Sequence, residues 1–311
     1  MKVSRIIRDG HPIWQITDHH HLVEILPDCG AIINRWVYKT GKGMHDIIQG
    51  YASPEDFSGN FAEKGFRSCK LSPYACRIRN STFIFEGNKY SIGKFGYDRH
   101  NIHGLLFDAS YKVLHHYSGP EQGRIELATQ YKGDDPGFPF PYSVNLIYEL
   151  NRSNELSITT KIKNTGDKKM PVCDGWHPYF SISDVIDDCY LTINAERSAE
   201  FDTEMIPTSA FLELNEFRDE KQIGPAVFDN CFPIKDKTLS ACVLSNKATG
   251  LSLKIDALQN YDYLQLFTPP DRGSIAIEML SAMPDAFNNG IGLRHLEPTE
   301  DIEFICRYTL F

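Results

Sequence analysis

Four short segments carry side chains able to move protons. Asn101-Ile102-His103-Gly104 sets an imidazole beside a glycine, ahead of an apolar Leu105-Leu106-Phe107 run. Asp174-Gly175-Trp176-His177-Pro178-Tyr179-Phe180 joins an acid, an imidazole and aromatic rings. Val227-Phe228-Asp229-Asn230 puts a carboxylate beside an aromatic ring, and Ile275-Ala276-Ile277-Glu278-Met279-Leu280 puts one inside an apolar strand. Apolar surroundings raise a carboxyl pKa toward the range of a useful base, and imidazole titrates near neutrality, so the chemistry on offer is general acid–base catalysis. Each group also has a plain structural reading. His103 is compatible with a satisfied turn histidine and His177 with a loop residue packed on Trp176. Glu278 shares a face with Ser274 and Ala276 that suits the wet side of a sheet.

Other chemistries find no support. No H-E-x-x-H, G-x-G-x-x-G, P-loop or G-x-S-x-G pattern occurs. Adjacent residues of a strand point to opposite faces, so His19-His20-His21 cannot all grip one ion, and His115-His116 has the same fault. The expectation is a site with no metal and no cofactor.

The elements that must position these groups read as strands. Apolar runs with period-2 alternation recur between Gly, Pro, Asn and Asp, early at Leu22 to Leu26, Ala31 to Tyr38 and Thr82 to Phe85. A hairpin pairs Val144, Leu146, Tyr148 and Leu150 with Leu156, Ile158, Thr160 and Ile162 across an Asn151-Arg152-Ser153-Asn154 turn. A second joins Ala241 to Ser245 with Leu251 to Ile255. Tyr263 to Thr268 and Ser274 to Leu280 follow, and the chain ends on an alternating strand, Ile302 to Leu310, expected to be paired inside a sheet. One short helix is expected within Pro54 to Phe66. With no linker, repeat or composition shift, residues 1–311 read as one all-β domain, a large antiparallel β-sandwich.

Composition sets the context. Net charge is −9 with no basic stripe, which argues against nucleic acid. No apolar run approaches a membrane span, and the Met1 to Trp14 stretch lacks a secretory h-region. The 8 cysteines form no C-x-x-C pair and read as reduced, mostly buried thiols, so a cytoplasmic location is the default expectation. Aromatic residues make up 12% of the chain, which suits strands and also suits rings that stack on sugar C–H faces.

Taken in order, the segments resemble the aldose 1-epimerase family. Tyr74-Ala75-Cys76-Arg77-Ile78 matches that family's Asn-Arg-Ile segment, Ile102-His103-Gly104 its Leu-His-Gly, and His177-Pro178-Tyr179-Phe180 its His-x-Tyr-Phe. Phe228-Asp229 matches Leu-Asp, and Glu278 followed by Pro284-Asp285-Ala286-Phe287-Asn288 matches its late Glu and Asp-Ala-x-Asn-like stretch. The match runs from about Gly30 to the C-terminus. The resemblance implies a galactose mutarotase-like sandwich acting on a monosaccharide, as a monomer or homodimer. Glu278 would be the general base at the C1 hydroxyl and His177 the general acid at the ring oxygen. His103, Arg77 and Asp229 would hold the sugar. A His near carboxylates such as Asp174 is expected to have a raised pKa. The departures are Cys76 for Asn, Leu105 for a second Gly, Trp176 for a polar residue and Met279 for Pro. They bear on which aldose is preferred, with Trp176 a candidate stacking wall.

Three rivals stay open at this point. A hexose-6-phosphate mutarotase would need cations at the cleft, for which Arg77, Arg79, Arg99 and Lys94 are candidates. A glycoside hydrolase would pair Glu278 with Asp229 or Asp174. A non-catalytic carbohydrate-binding protein would keep the aromatics without an opposed Glu278 and His177.

Overall fold

Alternation decides which way each long strand faces. In Tyr142–Asn151 every second residue from Tyr142 to Leu150 is buried, and Glu155–Asn164 answers with Leu156, Ile158, Thr160 and Ile162. Register pairs Leu146 with Thr160 and Tyr148 with Ile158, as the sequence pattern requires. A computed structural model describes residues 1–41 and 43–311, about half of them strand and 5% helix.

This hairpin sits within a nine-stranded antiparallel sheet. Its order is Lys112–Ser118, Gln122–Tyr131, Tyr142–Asn151, Glu155–Asn164, Asp301–Leu310, Leu251–Gln259, Cys242–Asn246, Tyr190–Ile193 and Lys221–Gln222. The C-terminal strand is thus paired on both sides, so its apolar face meets no free edge. A six-stranded sheet faces it, ordered Asp229–Pro233, Tyr263–Phe267, Ile275–Leu280, Gly175–Trp176 and Lys70–Leu71, with Tyr179–Phe180 also pairing to Ile275–Leu280. Side chains from both sheets interlock. Tyr148 meets Trp176 at 6.0 Å between ring centroids, and Phe180 meets Tyr308 at 5.4 Å. A five-stranded N-terminal sheet runs from Lys2–Arg8 to Gly43–Asp46 and joins the same core through Ile25, Ile33 and Trp36. The two stacked antiparallel sheets make the expected all-β sandwich.

The expected helix is shorter than the Pro54 to Phe66 stretch, spanning Pro54–Asn60. Ser53 caps it, its Oγ accepting from the Asp56 N–H at 3.1 Å while Asp56 accepts from the Ala52 N–H at 2.8 Å. Gly59 and Asn60 are weak helix formers, and the chain leaves the helix into turns that end at Phe66 with φ +55°. This segment carries Phe57, Phe61 and Phe66 into a second apolar cluster with Phe107, which forms one side of the site described next. All eight cysteines are buried and unpaired. No helix among the described residues is long and apolar enough to cross a membrane.

Candidate active site

The floor of the site is the outer face of the six-stranded sheet. Ile277 and Met279 point into the inter-sheet core, so the alternation turns Glu278 the other way. Glu278 stands opposite Gln265, which stands opposite Cys231. In the neighbouring row Asp229 stands opposite Phe267, Phe267 opposite Ala276, and Ala276 opposite Tyr179. Gln265 donates from Nε2 to Oδ1 of Asp229 at 3.0 Å, tying its own strand to the Asp229 strand. Glu278 is therefore not on a wet face: it is 2% exposed at the wall of a cavity of about 180 Å³.

His177 sits in the break between Gly175–Trp176 and Tyr179–Phe180. Its N–H donates to the Cys69 carbonyl at 3.2 Å, and its carbonyl accepts from Ser68 at 2.8 Å. These bonds fix the backbone, and stacking on Tyr179 at 5.1 Å with an interplanar angle of 4° fixes the ring. Nε2 then lies 3.4 Å from Oε1 of Glu278. Trp176, one residue earlier, points the opposite way, into the core against Tyr148 and Lys70. The stacking wall expected of Trp176 is thus corrected: strand alternation buries it in the core.

His103 and Arg77 come from a separate small sheet in which Ile102 pairs with Arg77. Past that pair the chain turns sharply. His103 takes φ +63° and its N–H donates to the Cys76 carbonyl at 3.0 Å. Gly104 follows at φ +82°, where a Cβ would lie 2.3 Å from the Ser72 carbonyl oxygen, so the His-Gly pair is a packing requirement. The His103 ring meets His177 edge-on at 5.0 Å and Phe66 at 4.7 Å. Arg77 lies over Tyr97 at 5.6 Å. All five residues expected at a site, Glu278, His177, His103, Arg77 and Asp229, line this one cavity.

Burial dominates the electrostatics. It pushes the Glu278 carboxyl well above the usual range, and the nearby Asp229 adds to the rise. It pulls His177 down to about 3. It also pulls His103 well down, with His177 and Arg77 acting in the same direction. Asp229 is raised by burial, partly offset by Arg77 and by the Gln265 hydrogen bond. The expected rise of the His177 pKa is therefore corrected. Asp174 does not face His177: its carboxylate is held in the core by Lys70 at 2.5 Å and Tyr261 at 2.6 Å. Oε2 of Glu278, Nδ1 of His177, Nδ1 of His103 and Oε1 of Gln265 are all buried without partners. Unpaired buried polar atoms are costly, and these four belong to residues that line one cavity, which suits a polar ligand.

Gln265 also lines the cavity and carries no signal in the sequence, because a lone Gln on an alternating strand looks like any solvent-facing residue. Tyr179 was visible within the His177 segment, but only its stacking marks it as part of the site. Of the cations near Arg77 in sequence, Arg79 pairs with Asp202 and Glu204, Arg99 with Glu204, and Lys94 with Asp108.

The fold and this cavity define an antiparallel sandwich with a buried carboxyl and a buried imidazole side by side over one sheet. The family model for aldose 1-epimerase matches residues 12–309, and the chain belongs to that family of isomerases. An aldose 1-epimerase from Streptococcus thermophilus is 26% identical, the match covering 91% of this chain and 89% of that one. The uncharacterized protein YihR of Escherichia coli K12 is 26% identical over 73% of each chain. The crystal structure of a galactose mutarotase-like protein from Clostridium acetobutylicum superposes with a TM-score of 0.88 at 17% identity. That superposition covers 100% of this chain and 98% of the other.

Proposed function

We propose that this protein interconverts the α and β anomers of a free aldohexose such as galactose or glucose, with Glu278 as general base and His177 as general acid. Family and fold support aldose 1-epimerase activity. The observation that carries the residue assignment is the 3.4 Å approach of His177 Nε2 to Glu278 Oε1 on the wall of a cavity of about 180 Å³.

Ring opening takes the proton from the C1 hydroxyl and delivers one to the ring oxygen. Both oxygens are bonded to C1, so an acid and a base set side by side can serve both at once. Glu278 accepts the hydroxyl proton as the C1–O5 bond breaks and C1 becomes an aldehyde. His177 gives its proton to O5. The C1–C2 bond rotates, and closure on the other face returns both protons. No electron is gained or lost, so the step needs no redox partner.

The pair must carry one proton in total. Burial favours the neutral form of each group, which leaves that proton on Glu278 before sugar binds. Sugar hydroxyls entering the cavity would replace lost hydration, and across the 3.4 Å contact the proton can move to His177. His103, Arg77, Asp229 and Gln265 hold the remaining hydroxyls. Their donor and acceptor types suit a neutral polyol. A phosphorylated hexose is disfavoured because, of the four candidate cations, Arg79, Arg99 and Lys94 are each spent on a carboxylate, which leaves Arg77 as the one of the four that lines the cavity. A cavity below about 300 Å³ also suits a single sugar unit better than a larger ligand.

The test is polarimetry of freshly dissolved α-D-galactose and α-D-glucose, with the wild type beside Glu278→Gln. Acceleration that disappears in the variant supports the assignment. Acceleration of glucose-6-phosphate alone would replace the neutral sugar with a phosphorylated one, and no acceleration of any sugar would leave a carbohydrate-binding protein.

A further inference from the structure

The sheet order gives the cavity a direction. From Glu278 on Ile275–Leu280 the strands step outward through Gln265 on Tyr263–Phe267 to Asp229 on the edge strand Asp229–Pro233. Beyond that edge packs a separate hairpin, Arg197–Phe201 with Pro207–Glu213. Phe201, which ends the first strand, and Met205 in the turn, residues 202–206, line the cavity, and the strand of Phe201 packs on the edge strand Asp229–Pro233.

This turn is built to stay in place. Asp202 accepts from the N–H groups of Glu204 at 2.9 Å and Ile206 at 3.1 Å, and Met205 takes φ +58°. Outside the turn, Arg79 binds Asp202 at 2.5 Å and Glu204 at 3.1 Å, and Arg99 also binds Glu204. Arg79 is two residues from Arg77, so the clasp ties the turn to the segment that carries Arg77, which also lines the cavity. These are the arginines whose spacing near Arg77 suggested a phosphate site. Their partners assign them instead to holding a wall.

We propose that the turn at residues 202–206 is a specificity wall, with Met205 and Phe201 confining the site to a free monosaccharide and turning away disaccharides extended at O4. This rests on the epimerase reading above. With C1 held between Glu278 and His177, the ring atom directly across from it is C4. A second sugar linked there would have to occupy the space filled by Met205 and Phe201. The clasp keeps the turn from swinging aside to admit it.

The experiment measures kcat/KM for mutarotation of galactose and glucose, and of the 4-linked disaccharides lactose and maltose, on the wild type and Met205→Gly. Glycine suits the positive φ at this position, so the variant removes the side chain without straining the turn. The wild type is expected to prefer monosaccharides by at least about tenfold, and the variant to reduce that ratio by about fivefold or more through a lower KM for the disaccharides. Glu204→Gln, which weakens two ion pairs outside the cavity, is expected to move the ratio in the same direction by a smaller factor. Equal wild-type rates on both classes, or a ratio unmoved in Met205→Gly, overturn the wall alone. No acceleration of any sugar overturns the epimerase reading and the wall with it.

Discussion

Nε2 of His177 stands 3.4 Å from Oε1 of Glu278, and both side chains are almost wholly shielded from water. A buried pair of this kind is poor for stability, since each ionised form has lost its hydration. Its persistence on a cavity wall, with a free oxygen on Glu278 and a free nitrogen on His177, fits a pair kept for proton transfer.

If the pair works as a unit, removing either member should cost most of what both supply. Glu278→Gln and His177→Asn should each lower kcat by about 10² to 10⁴-fold. The double variant should be no worse than the poorer single one. Polarimetric kcat values on one sugar check this. Independent, multiplying losses would mean that the two groups do not share a step.

Proton count sets the pH profile. The one-proton pair gains a second proton only near the depressed His177 value, about 3, and loses its proton only above the raised Glu278 value. Free-enzyme kcat/KM should therefore hold its plateau below pH 6.5, where an ordinary histidine would already be titrating. An acid limb with its midpoint near 6.5 would show that His177 is not desolvated in the working enzyme.

Gln265 provides a separate test of binding. Its Nε2 is held by Asp229, its Oε1 has no partner, and the residue lines the cavity. Gln265→Ala should raise KM by about tenfold and change kcat much less, as loss of a contact common to ground and transition states does. A fall in kcat with KM unchanged would move Gln265 from holding the sugar to assisting the chemistry.

Much of this was written in local pattern. The hairpin through Tyr148 and Ile158 and the closing strand through Phe304 and Tyr308 show period-2 burial, which any reading of alternation finds. Sheet order was not legible: nothing near Asp301–Leu310 says that it inserts between Glu155–Asn164 and Leu251–Gln259, since pairing is set by distant partners. The site residues emerged from five short segments taken in order, because each segment also has a structural reason, such as the glycine that must follow His103. The direction of the His177 shift does not follow from charge neighbours along the chain, because burial, which outweighs them here, is a property of the folded sheet.

Burial of Glu278 should leave a mark on stability. Its folded pKa is raised above 4.5, so over the range between those values the unfolded chain releases a proton that the folded chain keeps. Stability is lost as pH rises through that window, and nothing is lost below it, where both states are protonated. Glu278→Gln removes the titration. The variant should have a higher urea midpoint than the wild type at pH 8, with the difference vanishing by about pH 4. A variant less stable than the wild type at both pH values would mean that the carboxylate is held by interactions stronger than its desolvation.

The second buried pair, Lys70 with Asp174, should behave in the opposite way. Lys70 Nζ is wholly enclosed, donating to Asp174 Oδ2 at 2.5 Å, to Thr160 Oγ1 at 3.2 Å and to the Gly175 carbonyl at 3.2 Å, with the Trp176 ring 4.4 Å away. It therefore bolts the strand that leads into His177 onto the nine-stranded sheet. Lys70→Met strands the Asp174 carboxylate in the core and should cost about 3–5 kcal/mol. Adding Asp174→Leu to Lys70→Met removes the stranded charge and should recover most of that loss. Urea unfolding of the two singles and the double closes the cycle. A double variant as unstable as the sum of the singles would show that the pair contributes through its separate contacts with Thr160 and Tyr261, and not through the attraction between the two charges.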